Sequence, residues 1–212
     1  MDLGRNLESI RRQAGHWAPQ PLVEAGAERA VKETLLSWLP PGAYEAVTEI
    51  GLSENCGALA RSSPEAAATY HGFDRREEAR ARAARLAIPG ATLKPLPEGA
   101  ELPLPKASQD LFLSLFTLER LRMDELYMAI AEMKRITKPG AYAALASLHP
   151  GDSWWERIVS SFHARAGRGT PLQLAHYLSP EDWDTVREGK QSLGRGRVAG
   201  LVVLRRRTDE PL

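Results

Sequence analysis

Cys56 is the only cysteine among the 212 residues, which excludes an internal disulfide and any cysteine-rich zinc site. An excess of one charge is missing too. Lys and Arg total 28 against 27 Asp and Glu, a formal net charge of +1, so nothing in the balance points to nucleic acid. No uncharged apolar run approaches the ~18 residues of a membrane-spanning helix. The opening stretch MDLGRNLESIRRQAGHWAPQ lacks the apolar centre of a signal peptide, so a cytoplasmic location is expected. Internal repeats and low-complexity tracts are absent. Of the histidines, His16, His71, His163 and His176 show no metal-ligand spacing with one another, and no metal is expected.

What is present reads as a globular α/β chain. Hydrophobic residues make up 43% and charged residues 26%, near globular averages, and the length suits one domain. Residues 1–39 have helical character, clearest in GAERAVKETLLSWLPPG, where Ala30, Leu35 and Trp38 share a face and Pro40-Pro41-Gly42 ends the pattern. Short apolar runs then alternate with helical patterns. YEAVTEIG predicts a strand, followed by a short helix around CGALARS. ATYHGFD predicts a second strand, followed by the helix RREEARARAARLA. A short strand is expected near Ala91 to Lys94, inside a proline-punctuated loop.

DLFLSLFTL is continuously apolar, as a strand buried on both faces must be. MDELYMAIAEMKRITKPG predicts an amphipathic helix with Leu126, Ile130, Met133 and Ile136 on one face and Lys138-Pro139-Gly140 as its stop. AYAALASL is another strand. Helices are expected at SWWERIVSSFHARA and SPEDWDTVREG, then a closing strand pair around KQSLG and RVAGLVVLRRR. Such alternation builds a mostly parallel sheet covered on both faces, with ligands at the carboxyl ends of the strands. The expected organisation is a single domain over 1–212: a helical segment 1–42, a ligand-binding core 43–148, and C-terminal helices and strands 149–212.

Two strings carry a family resemblance. One is Leu102-Pro103-Leu104-Pro105 followed by Ser108, Asp110 and the apolar strand. The other is Arg135-Ile136-Thr137-Lys138-Pro139-Gly140-Ala141. In this order and spacing the chain, from about Val47 to Leu148, resembles the class I S-adenosylmethionine-dependent methyltransferases, in particular the small-molecule group related to ubiquinone and menaquinone biosynthesis. The resemblance implies a Rossmann-like, doubly wound, seven-stranded sheet with an antiparallel C-terminal strand. It implies S-adenosyl-L-methionine as cofactor and methyl transfer by in-line displacement to a small-molecule acceptor. No nucleic acid or membrane partner is expected, and a homodimer is the candidate assembly. The competing reading is a catalytically silent domain of the same fold that serves as a binding or assembly module.

Carried over residue by residue, the resemblance matches Glu49 and Gly51 to the acidic residue and first glycine of the loop after strand 1. Asp74 matches the carboxylate that accepts both ribose hydroxyls. Glu98 stands where an adenine-contacting Asp is usual. Ser114 to Glu119 would line the methionine side. The family's Gly-x-Gly-x-Gly is here Gly51, Ser53 and Asn55, with Gly57 displaced. Serine is small and asparagine tolerates left-handed backbone, so the turn can form, although Glu54 and the added side chains narrow the space. Glu119 and His149 are the catalytic candidates, and Trp154, Trp155 and Phe162 are core residues or an acceptor lid. Structural alternatives stay open: Glu49 as a turn cap, Asp74 as a helix N-cap, Glu98 as a solvated loop residue, His149 as a structural histidine, Cys56 as packing. The arginines at 75, 76, 80, 82 and 85, interrupted by Glu77 and Glu78, read as a solvated helix face.

Overall fold

The computed structural model describes residues 25–42, 44–53, 56–57, 69–88, 90–150, 172–194 and 197–208. Helix α1 (Ala25–Trp38) leads into strand β1 (Ala46–Ile50); β2 (Thr69–Phe73), helix α2 (Glu77–Ala84) and β3 (Ala91–Lys94) follow. Strand β4 (Gln109–Leu115) runs through a short 3-10 turn, Leu118–Arg120, into helix α3 (Met123–Ile136). Strand β5 (Thr137–His149) comes next, then β6 (Trp183–Gly194) and β7 (Arg197–Arg206).

These strands form one sheet in the order β3-β2-β1-β4-β5-β7-β6. β1 pairs in parallel with β2 and β4, and β4 with β5, whereas β7 runs antiparallel to both β5 and β6. The expected mostly parallel seven-stranded sheet with an antiparallel C-terminal strand is therefore the observed one. Strand order reverses at β1 and β4, which puts the crevice of an open α/β sheet beyond Ile50 and Leu115.

Both faces are buried. On one, Val31 and Leu35 of α1 and Ala79 and Ala83 of α2 pack with Leu111, Leu113, Leu201 and Val203. On the other, Leu126, Met133 and Ile136 of α3 pack with Ile50, Phe112 and Leu145. Ile130, expected on that α3 face, is half-buried at its margin. Leu111 to Leu113 and Leu115 make β4 largely apolar because helices cover it on both sides, and every residue of it except Asp110 is buried.

Two expected elements are corrected. SPEDWDTVREG is not a helix. Ser179 to Asp182 form a turn in which the Asp182 N–H donates to the Ser179 carbonyl at 3.1 Å, and Trp183 then starts β6. The Ser-Pro-Glu-Asp start signal closes this turn, and pairing of 183–194 with β7 overrides the local helical pattern. Helix α3 stops at Ile136, not at Lys138-Pro139-Gly140. Those three residues lie in β5, where the pairing with β4 slips between Gln109 and Leu111 and Gly140 takes φ +79°. The proline there sits at an irregularity that needs no N–H in the ladder.

Candidate active site

The carboxyl edge of β1 and β2 is stitched by backbone. The Gly51 N–H donates to the Phe73 carbonyl at 2.8 Å, and the Leu52 N–H donates to Oδ2 of Asp74 at 2.8 Å. Gly51 has φ +80°, and a Cβ there would stand 1.6 Å from Oγ1 of Thr117. Both backbone conformation and the close approach of the β4 loop require glycine at this point. Sequence reasoning singled out Gly51 but had no signal for Thr117 as its neighbour.

Asp74 is buried, and its carboxylate is fully engaged. Oδ2 accepts from Leu52 N–H and from Nη2 of Arg76 at 2.8 Å; Oδ1 accepts from the Arg76 N–H at 2.8 Å and from its Nε at 3.1 Å. Burial alone would raise its pKa, but these donors, led by the Arg76 side chain, outweigh it and hold the group below the usual carboxylate range. The arginine run is thus more than a solvated face. Arg76 clasps Asp74, and Nη1 of Arg80 donates to the Asp74 carbonyl at 2.6 Å. Arg75 donates to both oxygens of Glu125 at the start of α3, at 3.2 and 2.6 Å.

Glu49 points toward α1. Its carboxylate meets Nζ of Lys32 at 2.5 Å and accepts from the Tyr70 hydroxyl at 2.8 Å and the Gly57 N–H at 3.2 Å, all buried. Those bonds tie the first helix, β2 and the loop together, and the Lys32 partner was not visible in the sequence. Ser53 is buried and bonded to Glu28 of α1, whose pKa is raised chiefly by burial. Glu98 is exposed in a 3-10 turn, with its segment brought alongside by the Leu96 N–H donating to the Asp74 carbonyl at 3.2 Å. Ser114 is fully buried in β4, and its Oγ has no hydrogen-bond partner among the described residues. Asn55, Glu54, Trp154, Trp155 and Phe162 lie outside the described residues.

Glu119 ties the loop after β4 to the end of β5. Oε1 of Glu119 accepts the Leu148 N–H at 2.9 Å, next to His149 in the chain. Its Oε2 is buried with no partner among the described residues, and burial pushes the carboxyl up to about 7. His149 borders a cavity of about 550 Å³ between β5, β7 and β6, with Ser147, Gln173, Trp183 and Lys190 also on its wall. That cavity has neither Gly51 nor Asp74 in its lining, so it is separate from the crevice at β1 and β2. Along the carboxyl edge the order is Asp74, Gly51, Thr117, Glu119, His149 and then the cavity. Among the described residues no group of His, Cys, Asp and Glu could hold a metal ion, and no helix is long and apolar enough to cross a membrane.

Residues 50–145, which contain Gly51, Asp74, Ser114, Thr117 and Glu119, match the family model described as "Methyltransferase domain". Over that stretch the chain is similar to methyltransferase domains. None of the curated proteins matches the sequence. Solved structures do match the fold. The N-methyltransferase NodS from Bradyrhizobium japonicum WM9, in complex with S-adenosyl-L-homocysteine, superposes with a TM-score of 0.68 at 18% identity, over 94% of this chain and 97% of that one. Geranyl diphosphate C-methyltransferase from Streptomyces coelicolor A3(2) gives 0.66 at 11%, over 84% and 79%. The [4+2]-cyclase SpnF gives 0.64 at 16%, over 85% and 81%. At such identities the likeness shows the fold alone, and SpnF carries a name for a different reaction on it.

Proposed function

We propose that this methyltransferase domain moves the methyl group of S-adenosyl-L-methionine to a small-molecule acceptor. The supporting observation is the convergence of the Gly51–Leu52 bend on the Asp74 carboxylate through a 2.8 Å bond at the strand-order switch point. A carboxylate at the end of β2 suits a ribose diol, because its two oxygens accept two hydroxyl donors side by side. Gly51 permits the left-handed bend against Thr117, Ser53 and Ser114 bring small side chains, and Glu98 stands on the segment next to Asp74. Bound there, the cofactor would supply an electrophilic methyl on a sulfonium that departs as a neutral thioether.

The chain's own task is then to align an acceptor lone pair, exclude water and take a proton where the acceptor carries one. Glu119 is suited to the last step. Its Oε2, which has no partner among the described residues, and a pKa near 7 let it receive a proton at neutral pH. His149 and the adjoining cavity form the acceptor side, and about 550 Å³ is the size of a small-molecule pocket. Titrating the protein with S-adenosylhomocysteine in a thermal-shift assay tests the reading. Saturation at ~100 times the dissociation constant adds about 2.7 kcal/mol of stability, and no shift at any concentration rejects it.

One observation favours the second reading, a silent binding module: the acceptor sites of Asp74 are already filled by the chain itself. The same titration separates the two.

A further inference from the structure

Helix α3 packs Leu126, Ala129, Met133 and Ile136 against the core, so its opposite face should carry the charges of a solvated helix. It does not. The exposed positions are Met123, Asp124, Tyr127, Met128, Ala131 and Lys134. Met123, Tyr127 and Met128 are 56%, 59% and 46% exposed, three of the four large hydrophobic side chains that stand in solvent among the described residues. Only Asp124 near the start of that face and Lys134 near its end are charged. The apolar row continues onto Tyr177, whose ring lies 5.9 Å from that of Tyr127 between centroids. Single exposed apolar side chains need no explanation, but a contiguous row on one helix marks an interaction surface.

The row is complementary to itself. Tyr127 and Ala131 lie two residues either side of Ala129, and Asp124 and Lys134 lie five either side of it. A two-fold axis outside the solvent face, level with Ala129, sets a second α3 antiparallel to the first. Each residue then comes level with the one equally far on the other side of Ala129. Tyr127, the largest side chain of the row, comes level with Ala131, the smallest, and Asp124 comes level with Lys134. Large against small is how helix faces interdigitate. The charges fix the direction, because a parallel pair would set Asp124 on Asp124 and Lys134 on Lys134. Both charged groups can be shared. Asp124 pairs with Arg122 at 3.1 Å with the side chains 72% and 73% exposed, and Lys134 pairs with Asp182 at 2.5 Å while 46% exposed. Pairs so exposed are held by less than about 1 kcal/mol, and an ammonium has more than one proton to donate.

We infer that this chain forms a two-fold dimer through the solvent face of α3, helix against antiparallel helix, with Tyr127, Met128 and Ala131 at the centre and an Asp124–Lys134 pair at each end. A second copy is the occupant because the face carries one acid and one base in balanced positions. It cancels on itself and offers no net charge to an acidic or basic partner. Area limits the strength. One helix pair with the Tyr177 ring beside it buries less than the ~800 Å² per partner of a standard interface, so the dimer is a weak one. The inference stands apart from the methyltransferase reading.

Sedimentation velocity of the full chain between about 5 and about 500 µM tests it, and a monomer–dimer equilibrium with a midpoint on the order of 10–100 µM is expected. Tyr127→Asp and Ala131→Arg, both at exposed positions, should each weaken the dimer by more than about tenfold. Asp124→Lys and Lys134→Glu should each weaken it about threefold. The two together should return to within about twofold of the wild type, because the pair is remade with its signs exchanged. Circular dichroism and urea midpoints check the fold of each variant.

A single monomeric species up to the highest concentration overturns the inference. So does a dimer that survives both Tyr127→Asp and Ala131→Arg, since another face then holds it. A dimer lost in those variants but not recovered by the charge exchange overturns the antiparallel arrangement. If a monomeric wild type instead sediments with phosphatidylcholine vesicles and Tyr127→Asp releases it, the face belongs to a lipid surface and the second copy is wrong. Ala131→Arg should leave S-adenosylhomocysteine binding unchanged, so failure here is distinct from failure of the methyltransferase reading.

Discussion

The Leu52 N–H and Oδ2 of Asp74, 22 residues apart in the chain, are joined by a buried 2.8 Å hydrogen bond. It fixes the exit of β1 against the exit of β2, the two strand ends that flank the proposed cofactor site. Replacing Asp74 removes the proposed ribose acceptor and at the same time loosens the bend. Asp74→Ala is expected to weaken S-adenosylhomocysteine affinity by more than about tenfold, each lost charge-assisted bond contributing on the order of 1.5 kcal/mol or more. Calorimetry checks this, and an unchanged dissociation constant would remove Asp74 from the site.

Gly51 has no room for a side chain. At φ +80°, and with Thr117 Oγ1 only 1.6 Å from where a Cβ would sit, Gly51→Ala is expected to lose at least about 2 kcal/mol of stability. Adding Thr117→Ala should recover only part of that, because the Thr117 Cβ would itself stand at 2.8 Å and the backbone strain persists. Urea midpoints of the single and double variants give the answer.

Glu119 sets a pH dependence. Its folded pKa of about 7 lies above the ordinary 4.5, so the fold favours the protonated form. Its stabilising share is complete below about pH 4.5 and is lost as pH rises through 7, up to about 3 kcal/mol. Glu119→Gln should therefore gain on the wild type between about pH 5 and 8. Stability curves that stay parallel over that window would show that the carboxyl is not buried in this way.

Glu125 works in the opposite sense. The Arg75 side chain holds its carboxyl down to about 2, against some burial, so its contribution is present above the ordinary 4.5 and lost as pH falls toward 2. Arg75 is 41% exposed, so solvent screening limits the pair to about 1 kcal/mol. Glu125→Gln should narrow the gap between neutral and acid stability by that amount. An unchanged acid transition would contradict it.

The buried Lys32–Glu49 pair joins the first helix to the core. Lys32→Met leaves the Glu49 carboxylate in the interior with only Tyr70 and the Gly57 N–H, at a cost of about 3–5 kcal/mol. Denaturant unfolding measures it, and a loss under about 1 kcal/mol would mean that water reaches Glu49.

Much of this edge was legible in the sequence because strands declare themselves by apolar runs. β4 and the Leu-Pro-Leu-Pro and Lys-Pro-Gly strings fixed the frame in which Gly51 and Asp74 could be placed. Ala91 to Lys94 was recognised from a short apolar stretch despite the prolines around it. The turn at Ser179 to Asp182 misled, since a helix start and a turn before a strand use the same Ser-Pro-Glu-Asp chemistry, and only pairing with β7 decides between them. The arginine run misled differently. Its spacing resembles a solvated helix face, but Arg75 and Arg76 precede the helix, and their partners Glu125 and Asp74 are set by tertiary contact. The same holds for Lys32 with Glu49 and Thr117 with Gly51, pairs far apart in sequence that no local pattern announces.

Calorimetric titration of S-adenosylhomocysteine into the wild type and Asp74→Ala, side by side, tests the central claim most directly. Saturable one-to-one binding to the wild type, lost or weakened more than about tenfold in the variant, is the expected result. Absence of heat with both proteins, or equal binding by both, would contradict a cofactor seated between the Gly51 bend and the Asp74 carboxylate.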